Sequence, residues 1–426
     1  MSRFLTTWGR RFALKQATRS ASVAPMNGLM MTQPLLVSAQ LEFAARFHSL
    51  QEVVTRTVEG PVVRTTWGQV ARRTRQLGNA LLKLGIGQGD VVATLAWNTQ
   101  RHLELYFAVS SLGAVLHTIN PRLPPEQLTY IAKDAGDVAL FFDTTFTPLA
   151  KHLAATSGIR HFVALTDDAH LPPESGVPDL RAYESLLHGE PDELAWPSLD
   201  ENTASSLCYT SGTVGLPKGV LYSHRSTVLH SYAICGADAL AISAQDVTLP
   251  VVPMFHVNAW GVPYAAAMVG SKLVLPGPAL DGKSLLELIT AEQVTSALGV
   301  PTVWLGLLNA AKGAGVRMSS LKKVVIGGSA CPPSMIAQFE VEHGARVTHA
   351  WGMTEMSPLG TANILLPKHA GLTPEARLQV QARQGRPIFG VDLRLVDDAG
   401  AVLPHDGATS GHLQVRGHWV ASGYFN

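Results

Sequence analysis

A dense group of glycine, hydroxyl and lysine residues lies near the middle of the chain. Residues 209–220 read Tyr-Thr-Ser-Gly-Thr-Val-Gly-Leu-Pro-Lys-Gly-Val. Glycines allow backbone amides to converge on one point, which forms a nest for an anion. Thr210, Ser211 and Thr213 add hydroxyl donors, and Lys218 adds a positive charge. The stretch therefore predicts a phosphate-binding loop between two short strands, because a plain hairpin turn needs no lysine or hydroxyl cluster.

The loop differs from a Walker A sequence, since Gly219 and Val220 follow Lys218 where that motif has Ser or Thr and opens a helix. It resembles the phosphate loop of the adenylate-forming superfamily, T-S-G-T-T-G-x-P-K-G, found in acyl-CoA synthetases, luciferases and nonribosomal peptide adenylation domains. Val214 stands where that pattern has a second threonine, so one hydroxyl donor is expected to be missing. The resemblance implies that the ATP phosphates bind to Thr210, Ser211, Gly212, Thr213, Gly215 and Lys218.

A second motif, His349-Ala-Trp-Gly-Met-Thr-Glu355, resembles the [YW]-G-x-T-E motif of the same family. Trp351 offers a flat face on which adenine could stack. Glu355 offers a hard oxygen ligand of the kind that Mg²⁺ prefers. The resemblance implies that Thr354 contacts the α-phosphate and that Thr210 joins Glu355 at the metal. It also implies nucleotide contacts from His349, Ala350 and Gly352.

Gly327-Gly328-Ser329 directly follows a predicted strand. The carboxyl ends of strands are where α/β sheets bind ligands, although a tight strand-to-helix turn would have the same glycines. The family resemblance implies that this segment lines the adenine and acyl pockets.

His256 lies in the segment Pro253-Met-Phe-His-Val-Asn-Ala-Trp260. A lone histidine among apolar residues is more often a core group than a catalyst, but the family has a histidine here, near the substrate carboxylate and the α-phosphate. Relatives that activate amino acids tend to have an aspartate beside this histidine, whereas the neighbours of His256 are not acidic. The resemblance therefore implies a plain carboxylic acid, with Val257, Trp260 and Gly328 beside the acyl chain, and the segment looks most like that of medium- and long-chain fatty acyl-CoA synthetases.

Alternating strand and helix patterns on both sides of the loop predict a doubly wound α/β fold with parallel strands. From about residue 384 the pattern changes to short strands joined by Asp/Gly turns, which predicts an antiparallel β unit. The resemblance implies the large N-terminal domain of adenylate-forming enzymes, with two doubly wound subdomains and an incomplete antiparallel unit. Strands are expected at 91–95, 114–119, 138–142, 161–165, 247–252, 272–275, 295–298 and 323–326, and helices at 38–50, 66–82, 100–113, 224–241, 260–269, 283–291 and 301–312.

The composition is that of an ordinary globular protein, with 46% hydrophobic and 15% charged residues in 426. A chain of this length suggests two or three subdomains. The net charge of +1 gives no electrostatic footprint for nucleic acid. The three cysteines are far apart, which argues against a disulfide framework or a zinc site and fits a reducing compartment. No apolar run approaches the ~18 residues that a membrane-spanning helix needs.

Three regions are expected along the chain: a basic, poorly ordered extension (1–30), the α/β body (31–385) and the start of the antiparallel unit (386–426). The extension is either an over-extended start, which leaves the protein cytoplasmic, or a mitochondrial transit peptide in residues 1–25. The chain stops at Asn426, before the family's T-G-D segment and small C-terminal lid domain. The lid is therefore expected to be absent from this sequence and activity to be reduced.

The expected function is ATP-dependent activation of a medium- to long-chain fatty acid through an acyl-adenylate, followed by thioester formation with CoA. The expected catalytic residues are His256, Thr354 and Glu355, and the expected cofactors are ATP and Mg²⁺, with CoA as co-substrate. Three alternatives stay open: a nucleotide-binding paralogue with little turnover, an enzyme for another carboxylic acid, and a luciferase-like or peptide-synthetase relative. The acyl length also stays open, as does the formation of a homodimer.

Overall fold

The computed structural model describes residues 26–210 and 215–426. Within these residues the chain forms two large mixed sheets and one small antiparallel sheet. The strands, in chain order, are β1 (Glu52–Arg56), β2 (Val62–Thr66), β3 (Val91–Leu95), β4 (Val115–Thr118), β5 (Asp137–Phe142), β6 (His161–Ala164), β7 (Arg181–Ala182), β8 (Ala204–Tyr209), β9 (Gly219–Ser223), β10 (Val247–Pro250), β11 (Lys272–Leu275), β12 (Ser296–Gly299), β13 (Lys323–Ile326), β14 (Arg346–Gly352), β15 (Leu359–Ala362), β16 (Arg386–Pro387), β17 (Val391–Val396), β18 (Val402–Leu403) and β19 (His412–Gly417).

Several helices start at recognisable signals in the sequence. The side chain of Thr66 accepts a hydrogen bond from the Gln69 amide at the start of the second helix, and the Gln69 side chain accepts one from the Thr66 amide in return. The α-helices are α1 (Val37–Phe47), α2 (Trp67–Lys83), α3 (Gln100–Ser111), α4 (Pro125–Ala135), α5 (Thr147–Thr156), α6 (Tyr183–Leu187), α7 (His224–Cys235), α8 (Val262–Val269), α9 (Gly282–Glu292), α10 (Pro301–Ala314), α11 (Pro333–Ala337) and α12 (Pro374–Gln381).

The chain passes from one large sheet to the other and back. The nine-stranded sheet has the order β16-β15-β14-β13-β12-β10-β11-β1-β2, and the seven-stranded sheet has the order β7-β6-β5-β3-β4-β8-β9. Their inner pairs are parallel, whereas β2, β9, β15 and β16 pair antiparallel. The predicted doubly wound α/β class is therefore confirmed, and β17, β18 and β19 form the predicted antiparallel unit.

The core is arranged in five layers. Helices α1, α2, α3, α7 and α8 pack on one another between the two large sheets. The outer face of the seven-stranded sheet is covered by α4 and α5, and that of the nine-stranded sheet by α9, α10 and α11. Val53 and Val54 are neighbours on β1 and belong to different cores, because successive strand side chains point to opposite faces. The parallel strands are thus buried on both sides, which explains the largely apolar sequences of strands such as β5, β11 and β13.

Several predicted elements have different bounds in the structure. The helix expected at 224–241 ends at Cys235, and the helix expected at 260–269 begins at Val262, after a left-handed turn. The polar stretch expected to be a surface connection at 167–202 contains β7 and α6. Residues 1–25 of the predicted basic extension lie outside the described residues. None of the helices in the described ranges combines the length and apolar character that crossing a bilayer requires.

Asp143 follows β5 and is almost completely buried. Its Oδ2 accepts a hydrogen bond of 2.6 Å from the amide of Trp97, which follows β3. Burial raises the pKa of this carboxyl to about 7, although the Trp97 amide and Arg101 oppose the shift. The folded protein therefore holds this proton more tightly than the unfolded chain does. The contribution of Asp143 to the free energy of unfolding falls as the pH rises from about 4 to about 7.

We predict that Asp143→Asn removes this part of the pH dependence, because asparagine can still accept from Trp97 but does not titrate. Scanning calorimetry between pH 4 and pH 8 should show wild type losing stability relative to D143N by up to about 4 kcal/mol. Asp281→Asn is the control, since the Ser284 amide holds the pKa of Asp281 below its usual value. The difference between wild type and D281N should change only below about pH 4. Parallel profiles for wild type and D143N would contradict the assignment.

Candidate active site

The described part of the phosphate loop is its neck. Strands β8 and β9 pair antiparallel up to Tyr209 and Gly219. The Thr210 amide donates to the Lys218 carbonyl at 3.0 Å, and the Lys218 amide donates to Thr210 Oγ1 at 3.3 Å. Gly215 has a φ of 97°, which favours glycine, and the Lys218 side chain is exposed. The sequence prediction of strand, loop and strand is confirmed, while the tip residues Ser211, Gly212, Thr213 and Val214 lie outside the described residues.

The other predicted nucleotide residues lie at the carboxyl ends of two adjacent strands. Strands β13 and β14 are parallel, with Ile326 opposite His349. This pairing brings Gly327, Gly328 and Ser329 beside the 349–352 segment at one sheet edge. Gly328 and Ser329 are exposed and Trp351 is partly exposed.

Two of the predicted nucleotide residues have side chains that face the interior. His349 is 2% exposed, and its Nδ1 lies 3.0 Å from the Ala382 carbonyl oxygen. Ala350 is part of the central core. A nucleotide at this edge would therefore meet the backbone of these two residues, while Trp351 and Gly352 are the accessible positions.

The segment after His256 forms a left-handed turn. Residues 257–261 all have φ between 44° and 76°, and only the last of them is glycine. Left-handed geometry costs other residues about 1–2 kcal/mol each, so their surroundings must hold them. The buried Asn258 does so: its Nδ2 donates to Ser206 Oγ at 2.6 Å, and Cys208 Sγ donates to its Oδ1 at 3.2 Å. The turn is thereby attached to β8, directly before the phosphate loop.

This turn places the predicted acyl-site residues at the same edge. A methyl group added to Gly327 would lie 3.0 Å from Cη2 of Trp260, so the indole packs against the end of β13. Trp260 is partly exposed, whereas Val257 is 4% exposed and belongs to the interior. The side chain of His256 is exposed. The surrounding protein lowers the pKa of its imidazole, and Arg122 lowers it further.

A hydrogen bond joins the two large sheets beside the site. The Tyr222 hydroxyl, on β9, donates to the Thr354 carbonyl oxygen at 2.6 Å. Tyr222 is 5% exposed and Thr354 is 9% exposed, so water competes little for this bond. The neck of the phosphate loop and the 354–356 turn are therefore held together.

Tyr424 contacts charged residues from both motifs. Its hydroxyl donates to Glu355 Oε1 at 2.6 Å, and Lys218 Nζ lies 4.9 Å from the centroid of its ring. Burial and the bond to Glu355 raise the pKa of Tyr424 to about 12, so the hydroxyl keeps its proton at neutral pH. Lys218 and Glu355, far apart in the sequence, thus both contact one aromatic side chain.

The donor set suits a metal that also binds substrate phosphates. No group of three or more His, Cys, Asp or Glu side chains that could enclose a metal exists among residues 26–210 and 215–426. Mg²⁺ commonly uses one or two carboxylates together with substrate phosphates and water. Glu355, which is partly exposed, and the Thr210 hydroxyl match that pattern.

Sequence reasoning missed four residues that shape this site: Arg122, Tyr222, Asn258 and Tyr424. Arg122 follows β4, and ligands bind at the carboxyl ends of parallel strands, so its position could have marked it as a site residue. Tyr222 and Asn258 act through contacts between segments distant in the sequence, for which the local pattern held no signal. The contact of Tyr424 with Glu355 likewise followed only from the fold.

Comparison with known proteins decides the family. The model for the family described as AMP-binding enzyme matches residues 42–425. The chain belongs to the AMP-binding enzyme family. This result confirms the resemblance on which the motif assignments were based.

Relatives in the AMP-binding enzyme family include several acyl-CoA ligases. The chain is 54% identical over 404 residues to the 3-methylmercaptopropionyl-CoA ligase of Ruegeria lacuscaerulensis, covering 94% of this chain and 74% of that protein. It is 52% identical over 402 residues to the medium-chain-fatty-acid–CoA ligase of Ectopseudomonas oleovorans, covering 94% and 73%. An anthranilate CoA ligase crystallised with anthranoyl-AMP has the same fold, with a TM-score of 0.79, 24% identity, and coverage of 92% of this chain and 72% of that one.

We predict that Gly327→Ala disturbs the site, because its methyl group would also lie 3.1 Å from the Ala350 carbonyl oxygen. Neither the strand nor the Trp260 ring can move freely, so we expect a loss of about 1–3 kcal/mol in the free energy of unfolding. Gly313→Ala on α10 is the control, since its methyl group would meet open space and alanine favours a helix. Denaturant titration measures both, and equal stability of the two variants would show that Trp260 does not pack as described.

Proposed function

We propose that this protein is an acyl-CoA ligase that activates a medium- to long-chain fatty acid with ATP. In the first step a carboxylate oxygen attacks the α-phosphorus of ATP, and pyrophosphate leaves. In the second step the thiolate of CoA attacks the acyl carbonyl carbon, the bond from that carbon to the phosphate oxygen breaks, and AMP leaves. The adenylate is needed because a free carboxylate is a poor electrophile with a poor leaving group.

The observation that carries this proposal is the junction of the two motifs. Lys218 at the neck of the phosphate loop and Glu355 after β14 both contact Tyr424, and the Tyr222–Thr354 hydrogen bond holds the segments together. A positive charge that can meet phosphates and a carboxylate that can meet a cation are thus fixed side by side. Positioned charges of this kind are a major source of rate enhancement in phosphoryl and nucleotidyl chemistry.

Each part of ATP has a proposed set of partners. Lys218, Thr210, Gly215 and the loop tip Ser211, Gly212 and Thr213 bind the β- and γ-phosphates, and Thr354 binds the α-phosphate. Trp351 stacks on adenine, with the backbones of Gly327, Gly328, Ser329, His349, Ala350 and Gly352 around it. Glu355 and Thr210 would hold Mg²⁺, which would supply positive charge that neutralises the phosphates.

The acid is proposed to bind beside the left-handed turn. A neutral His256 imidazole, whose pKa is lowered by its surroundings, can donate a hydrogen bond to the substrate carboxylate. Trp260, with Val257 behind it and Gly328 nearby, gives an apolar wall for the acyl chain. The neighbours of His256 are Phe255 and Val257, so no acidic group is available there for a substrate amine.

The similarity to the medium-chain ligase supports a fatty acid of medium length. A second candidate is a short acid with a thioether, because the chain is 54% identical to a 3-methylmercaptopropionyl-CoA ligase. Both acids present the same carboxylate to the site and differ only in the apolar part. The chemistry proposed above is common to both candidates.

The proposed organisation follows the three regions expected from the sequence. Residues 31–385 form the α/β body, and 386–426 begin the antiparallel subdomain. The reaction is proposed to take place in the cytoplasm, where ATP and CoA are available. The proposed partners are small molecules: ATP, CoA and the acid. Measurement of the oligomeric state would test whether the protein forms a homodimer.

Acid-dependent exchange of labelled pyrophosphate into ATP tests the first step. The assay should use fatty acids from C6 to C18 and 3-methylmercaptopropionate, on the 426-residue chain and on a version extended with the C-terminal domain of a relative. Acyl-CoA formation is then measured for each acid. Exchange that depends on one of these acids would support the proposal and identify the acyl length. Absence of both exchange and ATP binding in both versions would exclude it.

We predict that Glu355→Gln and Lys218→Met each lower kcat for exchange roughly 100-fold or more, because each removes a charge that faces the phosphates in the proposed site. Glu375→Gln on α12 and Lys312→Met on α10 make the same chemical changes away from the site, and both should keep the wild-type rate. Thermal unfolding midpoints check that all four variants are folded. Exchange within twofold of wild type in E355Q would remove Glu355 from the mechanism.

A further inference from the structure

Residues 419–425, which we call the strap, cross between the two nucleotide motifs. Ser357 Oγ donates to the Trp419 carbonyl oxygen at 3.0 Å, and the Ala421 amide donates to the Glu355 carbonyl oxygen at 2.7 Å. At the other end, the Phe425 amide donates to the Gly219 carbonyl oxygen at 2.8 Å. The strap backbone is therefore attached both to the turn that carries Glu355 and to the strand that follows Lys218.

Attachment at both ends fixes the Cα of Tyr424. Its side chain has only two rotatable bonds before the hydroxyl torsion, so little freedom remains once the ring lies between Lys218 and Glu355. Lysine and glutamate have longer, more mobile side chains, and ordering them on binding would cost conformational entropy. A rigid ring beside both groups lowers that cost.

The two contacts of Tyr424 act on different groups. The hydroxyl engages only Oε1 of Glu355, which leaves Oε2 for another ligand. The ring face holds the Lys218 ammonium by a cation–π contact, which fixes its place without neutralising its charge. Tyr424 is 41% exposed, so a ligand from solvent can reach this cluster.

We propose that Tyr424 is a positioning residue that prepares Lys218 and Glu355 for the metal chelate of a nucleoside triphosphate. The inference rests on the proposed function, because it assigns Glu355 to the cation and Lys218 to the phosphates. The two parts of the Tyr424 side chain have different roles. The hydroxyl orients the Glu355 carboxylate for the cation, and the ring orients the Lys218 ammonium for phosphate.

Two substitutions separate the two contacts. Tyr424→Phe keeps the ring over Lys218 and removes the bond to Glu355, whereas Tyr424→Leu removes both. Tyr232→Phe on α7 is the matched control, since Tyr232 is an exposed tyrosine away from both motifs. Titration calorimetry measures ATP binding with Mg²⁺ and with EDTA, and pyrophosphate exchange gives kcat and KM. Thermal unfolding midpoints report any general loss of structure.

With Mg²⁺, Y424F should bind ATP roughly tenfold more weakly than wild type, because it lacks one hydrogen bond to a charged group. In EDTA, Y424F and wild type should bind ATP equally tightly. The KM for MgATP should rise more than kcat falls, and the unfolding midpoint should stay unchanged. Y424L should weaken binding in both conditions, and Y232F in neither.

Equal MgATP binding by Y424F and wild type would overturn the inference while leaving the proposed function intact. An equal loss by Y424F with and without Mg²⁺, together with a lower unfolding midpoint, would also overturn it by showing a merely structural role. If wild type itself bound no ATP in either condition, the proposed function would fail, and this inference with it.

Discussion

The hydrogen bond from the Tyr222 hydroxyl to the Thr354 carbonyl oxygen is the constraint on which the site depends. Tyr222 belongs to the seven-stranded sheet and Thr354 follows a strand of the nine-stranded sheet. Phosphate-loop residues and the Glu355 carboxylate therefore come from different sheets and meet only where these sheets are joined. Because the bond is buried, losing it would leave a carbonyl without a partner in the interior, which is costly. The site is thus an interface between two packed bodies of the fold.

A second set of buried polar contacts attaches the segment proposed to bind the acid to the same strand pair. Asn258 bonds to Ser206 and Cys208 on β8, and this holds a left-handed turn that sequence propensity alone would not select. His256 precedes the turn and Trp260 lies within it. The segments proposed to bind the nucleotide and the acid are thereby both attached to strands β8 and β9. One rigid hairpin neck fixes both sides relative to each other.

Local patterns predicted many of the strands and helices, because strands such as β13 are largely apolar and helices such as α2 have an amphipathic repeat. Strands at 91–95 and 323–326 have the predicted bounds. The strand order was beyond local reasoning, since the chain leaves one sheet and returns to it. The start of α8 was placed too early because the preceding turn is held by Asn258, a contact between distant segments. The two nucleotide motifs were recognisable from residue types and spacing, whereas the position of Tyr424 between them required the fold.

We propose that a carboxylate oxygen of the substrate becomes bonded to the α-phosphorus of ATP at this junction. Oxygen labelling tests that claim most directly. An acid that supports pyrophosphate exchange, labelled with ¹⁸O in its carboxylate, is converted to its CoA thioester, and the released AMP is analysed by mass spectrometry. Adenylation predicts one ¹⁸O atom in AMP and none in pyrophosphate, because the carboxylate oxygen stays on phosphorus when the thiolate displaces it from the acyl carbon. Unlabelled AMP, or label in inorganic phosphate, would contradict the account.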